Sequence, residues 1–188
     1  MNEALLMAWR TWDFLYYHCT RLHYVDKENN NIFRIVVKKY RGNPLTIGEE
    51  TIVAPGDYYV KLHIHNYQLA YCLRGKTGDL RLGLLALKQV KTSLPALARA
   101  VAAHPYADRI KGVVGTTILH QGAERLGFSV QAIDTAIFRV FKTVFFKWIL
   151  CLCHPEGIKR VRRHSRKKIT AKRVFMSKEQ LLRAYQGD

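Results

Sequence analysis

Residues 58–65 read YYVKLHIH, with an apolar or aromatic side chain at every second position, fenced by Pro55-Gly56-Asp57 before and Asn66 after. Side chains two apart on a strand share a face. Tyr58, Val60, Leu62 and Ile64 are therefore expected to point into a core, and Tyr59, Lys61, His63 and His65 to the other side. Four hydrogen-bonding groups on one face, two of them imidazoles able to gain a proton near neutral pH, suit a hydroxyl-rich or anionic ligand. Asn66 follows directly and is placed to cap a short helix ending near Gly75. Tyr59, Lys61, His63, His65 and Asn66 are the candidate ligand-binding residues.

Stretches with this period of two alternate along the chain with stretches of helical period, a pattern that asks for a sheet packed by helices. Leu5, Trp9, Trp12, Tyr16 and Cys19 recur at steps of three and four, which predicts a helix over 3–23 with that stripe in the core. The polar run 26–31 separates it from IFRIVVKKY (32–40), a β-branched strand, and 41–51 reads as a loop. A helix is expected over 80–92, and Ser93 with Pro95 marks a capped restart or a kink before a second helix to 104. IKGVVGTT (110–117), ILHQGAER and LGFSVQAI predict strand, helix, a C-cap at Gly127, and strand, a β-α-β unit. Ser177 and Gln180 form a capping box that opens a last helix, KEQLLRAY. The expected fold is α+β, a mixed sheet of about five to six strands packed by helices.

Between residues 134 and 153 the periodicity is strongly helical. Ile137, Val140, Phe141, Val144, Phe145 and Trp148 make one wide apolar face, with Arg139, Lys142, Thr143 and Lys147 opposite and Phe146 and Leu150 on that polar side. A helix of this kind can lie in a membrane interface, but the commoner arrangement packs the apolar face into the core and leaves a solvated basic back.

At 188 residues the chain has the usual size of one domain, read here as 1–188, and with 48% hydrophobic residues it can build a core. Its 31 Lys and Arg against 14 Asp and Glu leave a net charge of +17, so its natural partners are anionic: a glycan, a phosphate polymer, a membrane surface or nucleic acid. Nine of the 15 residues at 159–173 are Lys or Arg and none is acidic. Arg160, Arg162, Arg163, Arg166, Lys167 and Lys168 in that segment are the candidate anion contacts, able to release counterions without reading a sequence. The segment carries no aromatic residue on which bases would stack, which disfavours a dedicated single-strand binder. Cys19, Cys72, Cys151 and Cys153 lack the dense spacing of a disulfide framework, so reduced thiols and a cytoplasmic location are expected. The start MNEALLMAWRTWDF lacks a basic leader, and no stretch of about 20 uncharged apolar residues occurs, so the expected position is cytoplasmic or peripheral to the inner membrane face.

Motifs with chemical content are few. AYCLRGKT (70–77) satisfies a loose phosphate-loop pattern, but Ala70 replaces the first glycine and Tyr71, Cys72 and Leu73 read as helix, so the loop is rejected. His63 and His65 share a strand face, and CLCHP (151–155) gathers two thiols and His154, yet neither set reaches the three or four donors of a closed site; no metal and no cofactor is expected.

HQGAERLGFSV (120–130) is distantly similar to the last helix and strand of acetyl-CoA-dependent acetyltransferases, although RGKTGD (74–79) has Thr77 where their pyrophosphate turn carries a glycine. The order GDYYVKLHIHN (56–66), LARAVAAHPYADRIKGVVGTTILHQGAERLGF (97–128), HPEG (154–157) and VFMSKEQLLRAY (174–185) resembles the YkoP-like domain of Gram-positive bacteria. That resemblance implies a module found alone or attached to polysaccharide deacetylases, in the company of glycosyltransferases. Lys61 stands where its members tend to carry an acid before Leu-His. The function expected is an accessory module, with no assigned catalysis, of envelope polysaccharide synthesis or modification that binds an anionic or glycan partner. The alternatives are a divergent acetyl-CoA-type acyltransferase and a non-specific nucleic-acid binder.

Overall fold

The computed structural model describes residues 7, 10, 11, 14, 22–26, 29, 31–73, 78–118, 120–153 and 170–187, with backbone alone for 24, 70, 79, 80, 146 and 148–153. Met7, Arg10, Thr11 and Phe14 are helical, and Thr11 Oγ1 donates to Met7 O at 3.1 Å, as the amino-terminal periodicity requires. The expected core stripe of that helix, Leu5, Trp9, Trp12, Tyr16 and Cys19, lies outside the described residues.

Six strands form the main sheet: β1 (His23–Tyr24), β2 (Phe33–Lys39), β5 (Tyr58–Ile64), β6 (Ile110–Thr117), β7 (Ser129–Ala132) and β8 (Lys172–Ser177), in the order β1-β2-β5-β6-β8-β7. The β5–β6 pair is parallel and the others antiparallel, so the sheet is mixed, as expected. A parallel pair needs a long crossover. Here it runs through α1 (Asn66–Leu73), α2 (Asp79–Ala102) and a short 3-10 turn, Ala107–Arg109.

The alternation in β2 and β5 splits the sheet into two faces. On one, Phe33, Ile35 and Val60 pack with Val113, Met176 and the α2 residues Leu94, Leu97 and Val101 into the larger core, which the final helix α4 (Lys178–Tyr185) closes with Leu181. Ser177 caps α4, its Oγ accepting from Gln180 N at 3.1 Å, as the sequence predicts. On the other face Tyr40, Val114 and Phe175 meet Leu45, Ile52 and Val53. The last three belong to a hairpin of β3 (Leu45–Ile47) and β4 (Glu50–Val53), where a loop was expected. Its strands are too short to stand out as an alternating run, and the turn at Gly48 and Glu49 hides them further.

Three further expectations are corrected. α2 is one continuous helix through Pro95, so of the two readings the capped restart is ruled out. Ser93 is 4% exposed and serves β2 instead: its Oγ accepts from Ile32 N at 3.3 Å, and its carbonyl accepts from Asn31 Nδ2 at 3.0 Å. The segment before Gly127 is a single 3-10 turn, Glu124–Leu126, because Gly122 at φ 84° breaks any longer helix; Gly127 itself is left-handed at φ 79°, a conformation that favours glycine. The predicted β-α-β unit keeps its two parallel strands but not its helix: β6 and β7 run the same way, joined through the 3-10 turn, and β8 inserts between them antiparallel to both, Phe175 standing opposite Val114 and Ser129. β8 had no place in the sequence reading because its first two residues, Lys172 and Arg173, belong to the basic run.

The helix α3 (Ala136–Cys153) covers part of the second face with a roll opposite to the expected one. Its polar side is turned inward: Thr143 is 8% exposed, its Oγ1 accepts from Ala171 N at 2.9 Å and donates to Arg139 O at 2.7 Å. The stripe meant for the core faces water, with Ile137 83% and Phe141 62% exposed. Helical period fixes which residues share a side; hydrogen bonds that a periodicity argument does not see decide which side turns in.

Candidate functional site

The second face of the sheet takes its side chains from alternate positions of β2 and β5. The antiparallel register sets Lys38 opposite Tyr59, Val36 opposite Lys61 and Arg34 opposite His63. α3 lies over this row and contributes Lys142 from its inward side. Tyr59, Lys61 and His63 therefore share a face, as the alternation predicts, but they are half-buried beneath other elements instead of standing on an open surface.

Burial disfavours the charged form of an amine or imidazolium, and a like charge nearby disfavours it further. Both effects act here. The Lys61 amine is held below its usual range by desolvation, then by Lys142 and Lys38. Lys142 is lowered by desolvation. His63 is pushed down from 6.5 to about 3, first by burial and then by Lys61, Lys142, Lys38 and Arg34. Among the described residues, the charged neighbours that shift Lys61 are the cations Lys142 and Lys38. Arg34, at the sheet end of the row, is 2% exposed. The expectation that His63 gains a proton near neutral pH is overturned: the imidazole is neutral there.

Toward β8 the row ends in aromatic groups. Arg173 Nη1 donates to Tyr40 Oη at 2.6 Å, and its guanidinium lies 5.7 Å from the Tyr40 ring centre. Tyr40 and Tyr59 meet edge to face at 5.3 Å, and burial raises both phenols, so they stay protonated; the Tyr40 hydroxyl donates to Asn43 O at 2.9 Å. Asp134 forms the acidic rim beside Tyr40, held by Asn43 Nδ2 at 3.1 Å. The arrangement suits an anion that would be met by ammonium groups, a neutral imidazole and the Tyr59 hydroxyl.

His65 and Asn66 lie where β5 gives way to α1. β5 ends at Ile64, His65 N donates to Ile32 O at 2.7 Å, and His65 O accepts from Leu69 N at 3.0 Å. His65 is therefore the residue that caps α1, and Asn66 is the first helical residue, one place beyond the expected cap. Arg160, Arg162, Arg163, Arg166, Lys167 and Lys168 lie outside the described residues. Of the basic run, Lys172 and Arg173 are built into β8, so the run is no free electrostatic tail along its whole length.

Sequence reasoning missed Arg34, Tyr40, Lys142 and Arg173. Arg34 and Lys38 carried a signal, since they alternate with Phe33, Ile35 and Val37 and so share the face of Lys61 once the strands are paired. Lys142 carried the opposite one, standing on what reads as the solvated back of a helix. A hollow of about 190 Å³ lies on the α2 side of the sheet, between Asp26, Asn29, Gln89, Thr92, Ser93 and Arg99, away from the cation row. Among the described residues no three His, Cys, Asp or Glu side chains gather as metal ligands. Tyr71, Cys72 and Leu73 are helical, in keeping with rejection of the phosphate loop, while 74–77 lie outside the described residues. Cys151 and Cys153 end α3, and His154 is outside the described residues.

The fold and this face define a class: a small α+β domain with a mixed sheet whose second side is apolar under the β3–β4 hairpin and carries a half-buried cationic row along β2 and β5. The YkoP domain model matches residues 2–185. Uncharacterized protein YkoP of Bacillus subtilis (strain 168) is 32% identical over 187 residues, which span 99% of this chain and 98% of that protein. The chain belongs to the YkoP domain family. No solved structure matches it.

Proposed function

We infer that the domain is an accessory module of bacterial envelope polysaccharide synthesis or modification, and that it holds an anionic polymer, a charged glycan or a phosphate polymer, against the second face of its sheet. The observation that carries this reading is the pair of half-buried amines, Lys61 and Lys142, around a neutral His63, with cations as the charged neighbours of Lys61 among the described residues. Desolvated like charges destabilise a fold unless something compensates them. An anion would do so, with Tyr59 and His63 supplying uncharged hydrogen bonds beside it. A binding role fits His63 better than proton transfer, because an imidazole with a pKa of about 3 is a weak base far from the working range of a general catalyst.

The test compares a poly(glycerol phosphate) oligomer, a uronate-rich glycan and a neutral glycan by titration calorimetry, on wild type and on a Lys61→Met/Lys142→Met double variant. The variant removes two of 31 basic residues, so a diffuse attraction to the whole +17 surface would barely change. A shaped site should lose about tenfold or more in affinity for the polymer it fits, since charge-assisted hydrogen bonds contribute about 1.5–3 kcal/mol each. The two anionic arms tell phosphate from carboxylate. Equal affinity of variant and wild type for both anionic polymers sinks the reading.

A further inference from the structure

α3 presents its apolar stripe to water. Ile137, Val140, Phe141 and Val144 are 83%, 60%, 62% and 49% exposed, and Phe145, stacked on Phe141 at 6.5 Å between ring centres, is exposed as well. Contiguous apolar surface of this kind marks a place of contact. The roll that exposes it is held from the other side, by Thr143 between Ala171 N and Arg139 O and by Arg139 Nη1 donating to Ile133 O at 3.4 Å. Turning the stripe inward would break those bonds.

The charge pattern identifies what the stripe meets. The sequence of α3, AIFRVFKTVFFKWILCLC, holds Arg139, Lys142 and Lys147 and no acid, in a chain of net charge +17. Lys147 borders the stripe beside Val140 and Val144, where its long aliphatic stem lets the ammonium reach a phosphate while the apolar residues sit deeper. No helix among the described residues is long and apolar enough to cross a membrane. An in-plane position, apolar face down and cations at headgroup level, matches this pattern.

We propose that α3 docks the domain on the surface of an anionic phospholipid bilayer, lying in the interface with Ile137, Val140, Phe141, Val144 and Phe145 among the headgroups. The stripe and the Lys61–Lys142 amines occupy opposite sides of α3, so this docking and polymer binding stand or fall separately.

The experiment is flotation of the full chain with vesicles of phosphatidylcholine alone and of phosphatidylcholine with phosphatidylglycerol, at low and high salt, beside sedimentation to read the oligomeric state. Wild type should float with the phosphatidylglycerol vesicles and lose them as salt rises, because anionic attraction is screened. A Val140→Gln/Phe141→Gln/Val144→Gln variant should partition about tenfold less or weaker still, because apolar burial drives interfacial binding. It should keep the wild-type melting temperature, its altered side chains already facing water, and keep its polymer affinity. Three results overturn the proposal: wild type that stays with the buffer, a triple variant that floats like wild type and so binds by charge alone, or a wild-type dimer that the triple variant splits while neither binds vesicles.

Discussion

Replacing His63 by Gln should remove a defined part of the acid sensitivity of the fold. The imidazole is pushed from 6.5 to about 3, by burial first and then by Lys61, Lys142, Lys38 and Arg34. Its neutral form is the one the fold tolerates, while the unfolded chain protonates at the ordinary value. Below pH 6.5 the unfolded state therefore binds more protons, and stability falls with pH until the folded imidazole also protonates near 3. One pH unit corresponds to about 1.4 kcal/mol, so His63 accounts for about 2 kcal/mol of the loss between neutrality and pH 5. Water that still reaches the half-buried ring reduces this to about 1–2 kcal/mol. The assay is urea unfolding of wild type and His63→Gln at pH 7.5 and pH 5.0, with the slope checked for constancy. His104 and His120 are also lowered by burial, but they are present in both proteins and cancel in the difference. The variant should lose about 1–2 kcal/mol less than wild type on acidification. Equal losses in the two proteins would refute the placement of His63 beneath α3 among cations.

Gly112→Ala should destabilise by about 2 kcal/mol or prevent folding, because an added Cβ would meet the backbone carbonyl of Met176 at 2.7 Å where β6 pairs with β8; thermal unfolding measures it, and an unchanged melting temperature contradicts the register. Thr143→Val should cost about 1–2 kcal/mol in urea unfolding by leaving the buried Ala171 N–H without its acceptor, whereas a neutral result means that the hydroxyl does not hold the roll of α3.

The strands that a sequence reader can find are those where burial writes an alternating pattern. Phe33, Ile35 and Val60 face one core and Arg34, Lys38 and Lys61 the other side, so β2 and β5 are legible residue by residue. β8 is not, because two of its six residues are basic and its central run, VFM, is buried on both faces, with Phe175 in one core and Met176 in the other. A short strand covered on both sides shows no alternation. The candidate site was half legible. Alternation brought Tyr59, Lys61 and His63 together correctly, but it carried the strand one residue too far and placed His65 on it. His65 N and O are both used in leaving the sheet and opening α1, which is a matter of backbone bonds and leaves no mark in side-chain chemistry. Lys142 and Arg173 reach the site from 81 and 112 residues beyond Lys61, through a helix roll and a strand insertion that no local pattern encodes.

α3 is the element where local preference and tertiary placement disagree most. Its apolar residues prefer a core and stand in water; its lysine at 142 prefers water and is half-buried beside Lys61. Either exposure alone would be an ordinary surface feature. Together they are costs of opposite sign on the two sides of one helix, and reversing the roll would relieve both at the expense of a few hydrogen bonds around Thr143. A sequence selected for stability alone would take that route or replace the residues, since conflicts between local preference and fold are expected where function requires them. Lipid on the outer side and an anionic polymer on the inner side would each remove one conflict without moving the helix. The arrangement therefore fits a domain that works at an interface, holding a charged polymer between its sheet and a membrane-lying helix, and it makes a distinct demand: polymer and vesicles should bind together, each leaving the other's affinity intact or stronger. Competition between them would show that α3 must move to admit one, and that its two sides are not independent surfaces.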